Sequence, residues 1–211
     1  MKIERKDLLL YAVTDRNCLR GISLEEAVEQ AILGGATCVQ LREKNIDEDE
    51  LICEAKKLID ICHRYNVPFI VNDDYEAALK CGADGVHVGI EDAPVDEIRR
   101  IAGRDFIIGA TAKTVEQACL AERSGADYLG VGAVFSSPTK KNAIRITPEL
   151  LKEICSSVSI PAVAIGGINA ENAAAIKGCG HSGIAVVSAV FGAEDVKAAA
   201  EKLTEAVKAT L

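Results

Sequence analysis

Short apolar runs and longer stretches of helical period alternate along the whole chain. The runs at 8–14, 37–41, 68–72, 84–88, 106–109, 127–132, 161–165 and 183–187 predict strands. Most are nearly continuous in aliphatic residues, as expected where both faces of a parallel sheet are covered. Between them, residues such as Leu24, Ala27, Val28, Ala31 and Ile32 fall on one helical face. Ser23 with Glu26, and Thr114 with Gln117, have capping-box spacing, while Thr147-Pro148 sets a capping residue before a proline at the first helical position. Eight strand–helix pairs result.

A repeat supports the count. Gly35-Ala36-Thr37, Gly82-Ala83-Asp84, Gly125-Ala126-Asp127 and Gly180-His181-Ser182 each close a helix and launch a strand, glycine supplying the left-handed backbone that ends a helix. The spacing of roughly 43 to 55 residues marks every second strand–helix unit. No Pro/Ser-rich linker or charge block divides the chain. The expected architecture is an α/β fold, a single (β/α)8 TIM barrel occupying residues 1–211 as one domain.

Composition narrows the function. The chain has 24 Lys plus Arg against 32 Asp plus Glu, a formal charge of −8, which disfavours a general nucleic-acid or anionic-membrane binder. No window approaches the ~20 apolar residues of a membrane span, and the charged first residues lack the pattern of a secretory signal. The eight cysteines show no C-x-x-C pair and no zinc spacing, so they are expected to be buried, reduced thiols in a cytoplasmic protein.

In such a barrel, chemistry belongs to the loops after the strands. Polar residues gather there: Gln40-Leu41-Arg42-Glu43-Lys44, Asn72-Asp73-Asp74, Glu91-Asp92, Thr111-Ala112-Lys113, Ser136-Ser137-Pro138-Thr139-Lys140-Lys141, Gly166-Gly167-Ile168-Asn169 and Ser188. Gly166 and Gly167, with a helix expected from about Asn169 and Ser188 close by, suggest a phosphate cradle; the same residues also fit a tight turn with Asn169 as a plain cap. Asn72-Asp73-Asp74 and Glu91-Asp92 supply carboxylates from neighbouring strands that suit Mg²⁺, which favours a few oxygen ligands, although Asp73 or Asp74 could equally cap a helix and Asp92 could be a solvated loop acid. Arg42, Lys44, Lys140 and Lys113 supply local positive charge in an acidic chain. Alternation turns His87 toward the barrel interior, where a hydrogen-bonded structural role is expected; His63 and His181 lie on the helical side.

These segments together resemble thiamine-phosphate synthases. The matching pieces are Val39-Gln40-Leu41-Arg42-Glu43-Lys44, Val71-Asn72-Asp73-Asp74, Asp84-Gly85-Val86-His87-Val88-Gly89 followed by Glu91-Asp92, and Asp127-Tyr128-Leu129-Gly130-Val131-Gly132. Thr139-Lys140-Lys141, Ala164-Ile165-Gly166-Gly167-Ile168 and Val186-Val187-Ser188-Ala189 complete the set, in family order over nearly the whole chain.

The resemblance implies a (β/α)8 barrel that joins hydroxymethylpyrimidine diphosphate to a thiazole monophosphate and releases pyrophosphate. It implies Mg²⁺ on Asp73 and Asp92, and the pyrimidine diphosphate on Gln40, Arg42, Lys44, Asn72 and Lys140 with Thr111 beside them. The thiazole phosphate falls to Ser137, Thr139, Gly167, Val187 and Ser188. Arg42, Lys44, Lys140 and Thr111 take the catalytic roles, and Leu41, Glu43 and Pro138 lie within the same substrate-binding segments. The chain departs from the family pattern at Ile90, Lys113, Ala133 and Ser136, which bears on substrate affinity and not on reaction class. Rival assignments are a thiazole tautomerase of the same fold and a non-catalytic barrel that binds a phosphorylated ligand. The sequence leaves open whether the chain forms a homo-oligomer.

Overall fold

Each apolar run pairs in parallel with its neighbours in sequence, and the last pairs with the first. The structure, a computed structural model, describes residues 2–44, 46–136 and 145–211. Strands β1 (Leu10–Val13), β2 (Cys38–Leu41), β3 (Phe69–Asn72), β4 (Gly85–Val88), β5 (Ile107–Ala112), β6 (Tyr128–Gly132), β7 (Ala162–Ile165) and β8 (Gly183–Val186) close into one barrel. The seam sets Leu10 beside Ile184 and Ala12 beside Val186. A side chain at Gly183 would strike the Leu8 and Leu9 carbonyls, so this close approach requires glycine.

Strand alternation sorts the core into two layers. Tyr11, Val13, Cys38, Ile70, Ile107, Tyr128, Val163 and Ala185 fill the barrel. Their neighbours, including Leu10, Ala12, Val39, Leu41, Phe69 and Val71, face outward to the helices. That explains why the strands read as continuous apolar runs. The outer layer packs on α1 (Leu24–Leu33), α2 (Glu48–Arg64), α3 (Tyr75–Cys81), α4 (Val95–Ala102), α5 (Val115–Ser124), α6 (Pro148–Ser157), the single turn α7 (Ser188–Phe191) and α8 (Val196–Lys208). Ser23, Thr114 and Thr147 cap α1, α5 and α6, each accepting a backbone N–H three residues on. No helix among the described residues is long and apolar enough to cross a membrane. All eight cysteines are free; Cys38, Cys62, Cys81 and Cys179 are buried, and Cys53 is exposed.

The Gly-Ala-Asp repeat has a mechanical explanation. Gly35, Gly82, Gly125 and Gly180 all adopt positive φ, as a helix-ending glycine does. The residue two places on then grips the preceding strand. The backbone N–H groups of Thr37, Asp84 and Asp127 donate to the carbonyls of Leu10, Phe69 and Ile108. In return, the Thr37 hydroxyl and the Asp84 and Asp127 carboxylates accept the N–H groups of those same three residues. Arg99 reinforces the third clasp, donating to Asp127 Oδ2 at 2.6 Å and to the Gly125 carbonyl. Thus β2, β4 and β6 are latched to β1, β3 and β5 at the rim opposite the strand ends. Ser182 keeps the backbone half, donating to Ala162, while its hydroxyl accepts from Arg5.

Two elements differ from the sequence expectation. Strand β5 runs on to Ala112, because Gly109 is no strand end: a Cβ there would collide with the Tyr128 and His87 rings. The helix expected from about Asn169 is instead a turn followed by a 3-10 helix, Ala173–Ile176. Gly166, Gly167, Gly178 and Gly180 all take positive φ within this short connection, and Asn169 Oδ1 accepts the Glu171 and Asn172 N–H groups.

His181 is 4% exposed; its Nε2 donates to Thr210 Oγ1 (3.1 Å), whose own proton goes to the Val207 carbonyl. Its Nδ1 is buried with no hydrogen-bond partner among the described residues. Burial therefore holds the imidazole pKa below its usual 6.5. The fold favours neutral His181, so its contribution is complete above the unfolded-state pKa and is lost as pH falls through and below 6.5. The melting temperature of the parent chain is expected to fall more steeply between about pH 7 and about pH 5 than that of His181→Leu. Parallel slopes would contradict this.

Candidate active site

A cavity of about 760 Å³ opens where the strands end. Gln40, Arg42, Lys44, Asn72, Asp73, Asp92, Thr111, Gly167, Val187 and Ser188 all line it, bringing together ten of the residues singled out by sequence. Leu41 and Glu43 do not. Leu41 is fully buried in the outer layer against the helices, and Glu43 turns away toward Arg16, because successive side chains leaving a strand point to opposite faces. Ser137, Pro138, Thr139 and Lys140 lie outside the described residues.

The acidic pair sits over β3 and β4. Of two adjacent aspartates, Asp74 is the cap: its Oδ1 accepts the Ala77 N–H at the start of α3 (2.8 Å). Asp73 is thereby left to the cavity. Its backbone adopts φ 67°, a conformation that an L-residue holds only under constraint. The constraint is visible: the Asp73 N–H donates to the His87 carbonyl and the Asp74 N–H to the Asn72 carbonyl, each at 2.8 Å. Asp92 reaches back from the next loop, its Oδ2 accepting the Gly89 N–H at 2.6 Å. Burial raises the Asp92 pKa; the Gly89 N–H opposes the rise, and neighbouring Asp73 adds to it. Lys44 Nζ lies 3.2 Å from Asp73 Oδ2. Arg42 is set by its backbone N–H, which donates to the buried Thr14 hydroxyl at 2.9 Å.

The opposite wall is built of glycine. Added side chains at Gly166 and Gly167 would run into Ala133 and into the Ser136 carbonyl. The Phe135 N–H donates to the Gly166 carbonyl and Asn172 Nδ2 to the Gly167 carbonyl, both at 2.9 Å. Backbone packing alone thus requires these glycines. Asn169 caps a turn and no helix, its Oδ1 accepting the Glu171 and Asn172 N–H groups, and it also lines the cavity. Ile90, which is 51% exposed, and Lys113 stand at the cavity as well.

The floor holds residues that sequence alone passed over. Gln40 Nε2 donates to the Tyr11 hydroxyl (2.8 Å), which bonds the Tyr128 hydroxyl (2.7 Å). Tyr128 bonds His87 Nδ1 and His87 Nε2 bonds Thr111 Oγ1, both at 3.1 Å. His87 is inward and hydrogen-bonded, as its alternation predicts. Tyr11 and Tyr128 read only as members of apolar strands. The available signal was the glycines: Cβ atoms at Gly109 and Gly130 would collide with the His87 ring, and one at Gly109 with Tyr128 also. Burial drives both tyrosine pKa values well above the usual range, so both hydroxyls keep their protons.

Residues 10–190 match the thiamine monophosphate synthase family. The chain is 50% identical to the thiamine-phosphate synthase of Clostridium tetani, with 94% of this chain and 95% of that one covered. It is 51% identical to the thiamine-phosphate synthase of Ruminiclostridium cellulolyticum, with the same coverage of 94% and 95%. Among solved structures, thiamine phosphate pyrophosphorylase from Pyrococcus furiosus superposes with a TM-score of 0.90 at 43% identity, covering 98% of each chain.

Tyr128→Phe removes the hydroxyl that joins Tyr11 to His87 inside the barrel. The expected cost is about 1–3 kcal/mol, read as a lower urea midpoint with an unchanged slope. An unshifted midpoint would show that the chain of bonds contributes nothing to stability.

Proposed function

The chain belongs to the thiamine monophosphate synthase family, transferases of thiamine biosynthesis, and we propose that it couples hydroxymethylpyrimidine diphosphate to thiazole monophosphate in a Mg²⁺-dependent reaction. The observation that carries this proposal is the convergence of Asp73 and Asp92 beside Lys44 and Arg42 on one cavity. Two carboxylates this close repel unless a proton or a cation stands between them. Among the described residues no set of three or more His, Cys, Asp or Glu gathers as a metal cage. A two-carboxylate site with room for water and phosphate oxygens suits Mg²⁺.

In this reaction the bond from the pyrimidine methylene carbon to the diphosphate oxygen breaks. A new bond forms from the thiazole nitrogen to that carbon, and pyrophosphate leaves. Arg42 and Lys44 face the growing negative charge, and Lys140 has the same role by sequence. Mg²⁺, held by Asp73 and Asp92, would supply further charge neutralisation on the leaving group. Gln40 and Thr111, fixed from below by the buried hydrogen bonds, present polar atoms to the pyrimidine. The Gly167 and Ser188 side of the cavity supports the thiazole phosphate, holding the nucleophile in place. No covalent enzyme intermediate is required.

Purified protein given both substrates and Mg²⁺ is expected to release pyrophosphate and form thiamine phosphate. Thiazole isomerisation without coupling would mark a tautomerase instead, and binding without turnover a ligand-binding barrel. Asp92→Ala is expected to lower kcat on the order of 10²-fold while circular dichroism stays unchanged. Parental kinetics in that variant would remove Asp92 from the site.

A further inference from the structure

Glu43 lies between two cavity residues, Arg42 and Lys44, yet its side chain is on the other side of the chain and only 7% exposed. It meets Arg16, from the 3-10 helix Arg16–Cys18 in the loop after β1. Arg16 Nε is 3.3 Å from Glu43 Oε1, and Arg16 Nη2 is 3.2 Å from Glu54 Oε2 on α2. Among the described residues, Glu43 Oε1 is buried without a hydrogen bond. At that distance from Arg16 it is therefore misaligned for one, and charge attraction is what holds it. Burial pushes the Glu43 carboxyl above its usual range, while Arg16 opposes the rise.

Such a group is expensive to bury for packing alone, since leucine would fill the space without desolvating a charge. What the pair does achieve is geometric. With Glu43 drawn toward Arg16, alternation along the extended chain sends Arg42 and Lys44 to the cavity. The Arg42 N–H bond to Thr14 joins the same two loops at a second point. We propose that the Arg16–Glu43 ion pair is a positioning device that sets Arg42 and Lys44 for the diphosphate, and that Glu43 does not itself touch substrate. The proposal rests on the diphosphate-transfer assignment above.

The test uses Glu43→Gln, Arg16→Gln, their combination, and Arg16→Lys. Each single Gln variant is expected to raise KM for the pyrimidine diphosphate about tenfold, with KM for the thiazole phosphate unchanged. The double variant should be no worse than Arg16→Gln, because losing the guanidinium already removes the Glu43 pair along with the contact to Glu54. Arg16→Lys keeps the charge and should recover most of the loss. Affinity for inorganic pyrophosphate with Mg²⁺, measured by calorimetry, should follow the same order without turnover. Additive effects, equal changes in both KM values, or a silent Arg16→Gln beside an impaired Glu43→Gln would overturn the proposal, the last by showing direct contact. If the parent chain couples no rings, the functional assignment fails, and the pyrophosphate affinities alone decide for or against the pair.

Discussion

Parallel closure is the constraint on which everything else depends. Eight strands running one way around a ring bring all their carboxyl ends to one rim, so side chains from Tyr11 to Ser188 meet in one cavity. The same geometry sends the repeated Thr and Asp clasps to the far rim. Stability and chemistry therefore occupy opposite ends of the barrel. The Gly-Ala-Asp repeat can stay rigid without intruding on the site.

Within the cavity, electrostatics are local and opposed to the molecule as a whole. A chain of net charge −8 places Arg42, Lys44 and Lys113 on one cavity. Lys44 is paired with Asp73, and the Arg42 backbone is tied to the Thr14 hydroxyl. Preorganised charge of this kind is effective in catalysis because it need not be rearranged at the moment of reaction.

The barrel was legible from sequence because periodicity and glycine placement survive without knowledge of distant contacts. Seven strands and the caps at Ser23, Thr114 and Thr147 emerged close to their observed places. Gly109 misled because glycine as spacer and glycine as terminator look identical in one dimension. Asn169 misled because its side chain caps a turn, accepting the Glu171 and Asn172 N–H groups, and only the 3-10 helix Ala173–Ile176 follows. The rim residues were legible as a set, whereas orientation was not. Nothing in Gln40-Leu41-Arg42-Glu43-Lys44 says which side chains face the ligand until the strand supplies its phase. Tyr11 and Tyr128 were hidden by their strands, since the bond between their hydroxyls joins residues 117 positions apart.

The buried run from Gln40 through Tyr11, Tyr128 and His87 to Thr111 has a consequence for how such a pocket changes over time. Its five members come from five different strands, yet each hydroxyl or ring nitrogen must match the donor or acceptor role of the next. A replacement at one end that reversed its polarity would oblige the others to reorient in turn. Diversification of ligand preference is therefore easier along the upper wall, at positions such as Ile90 and Lys113, than at the base, where five sites must drift in concert.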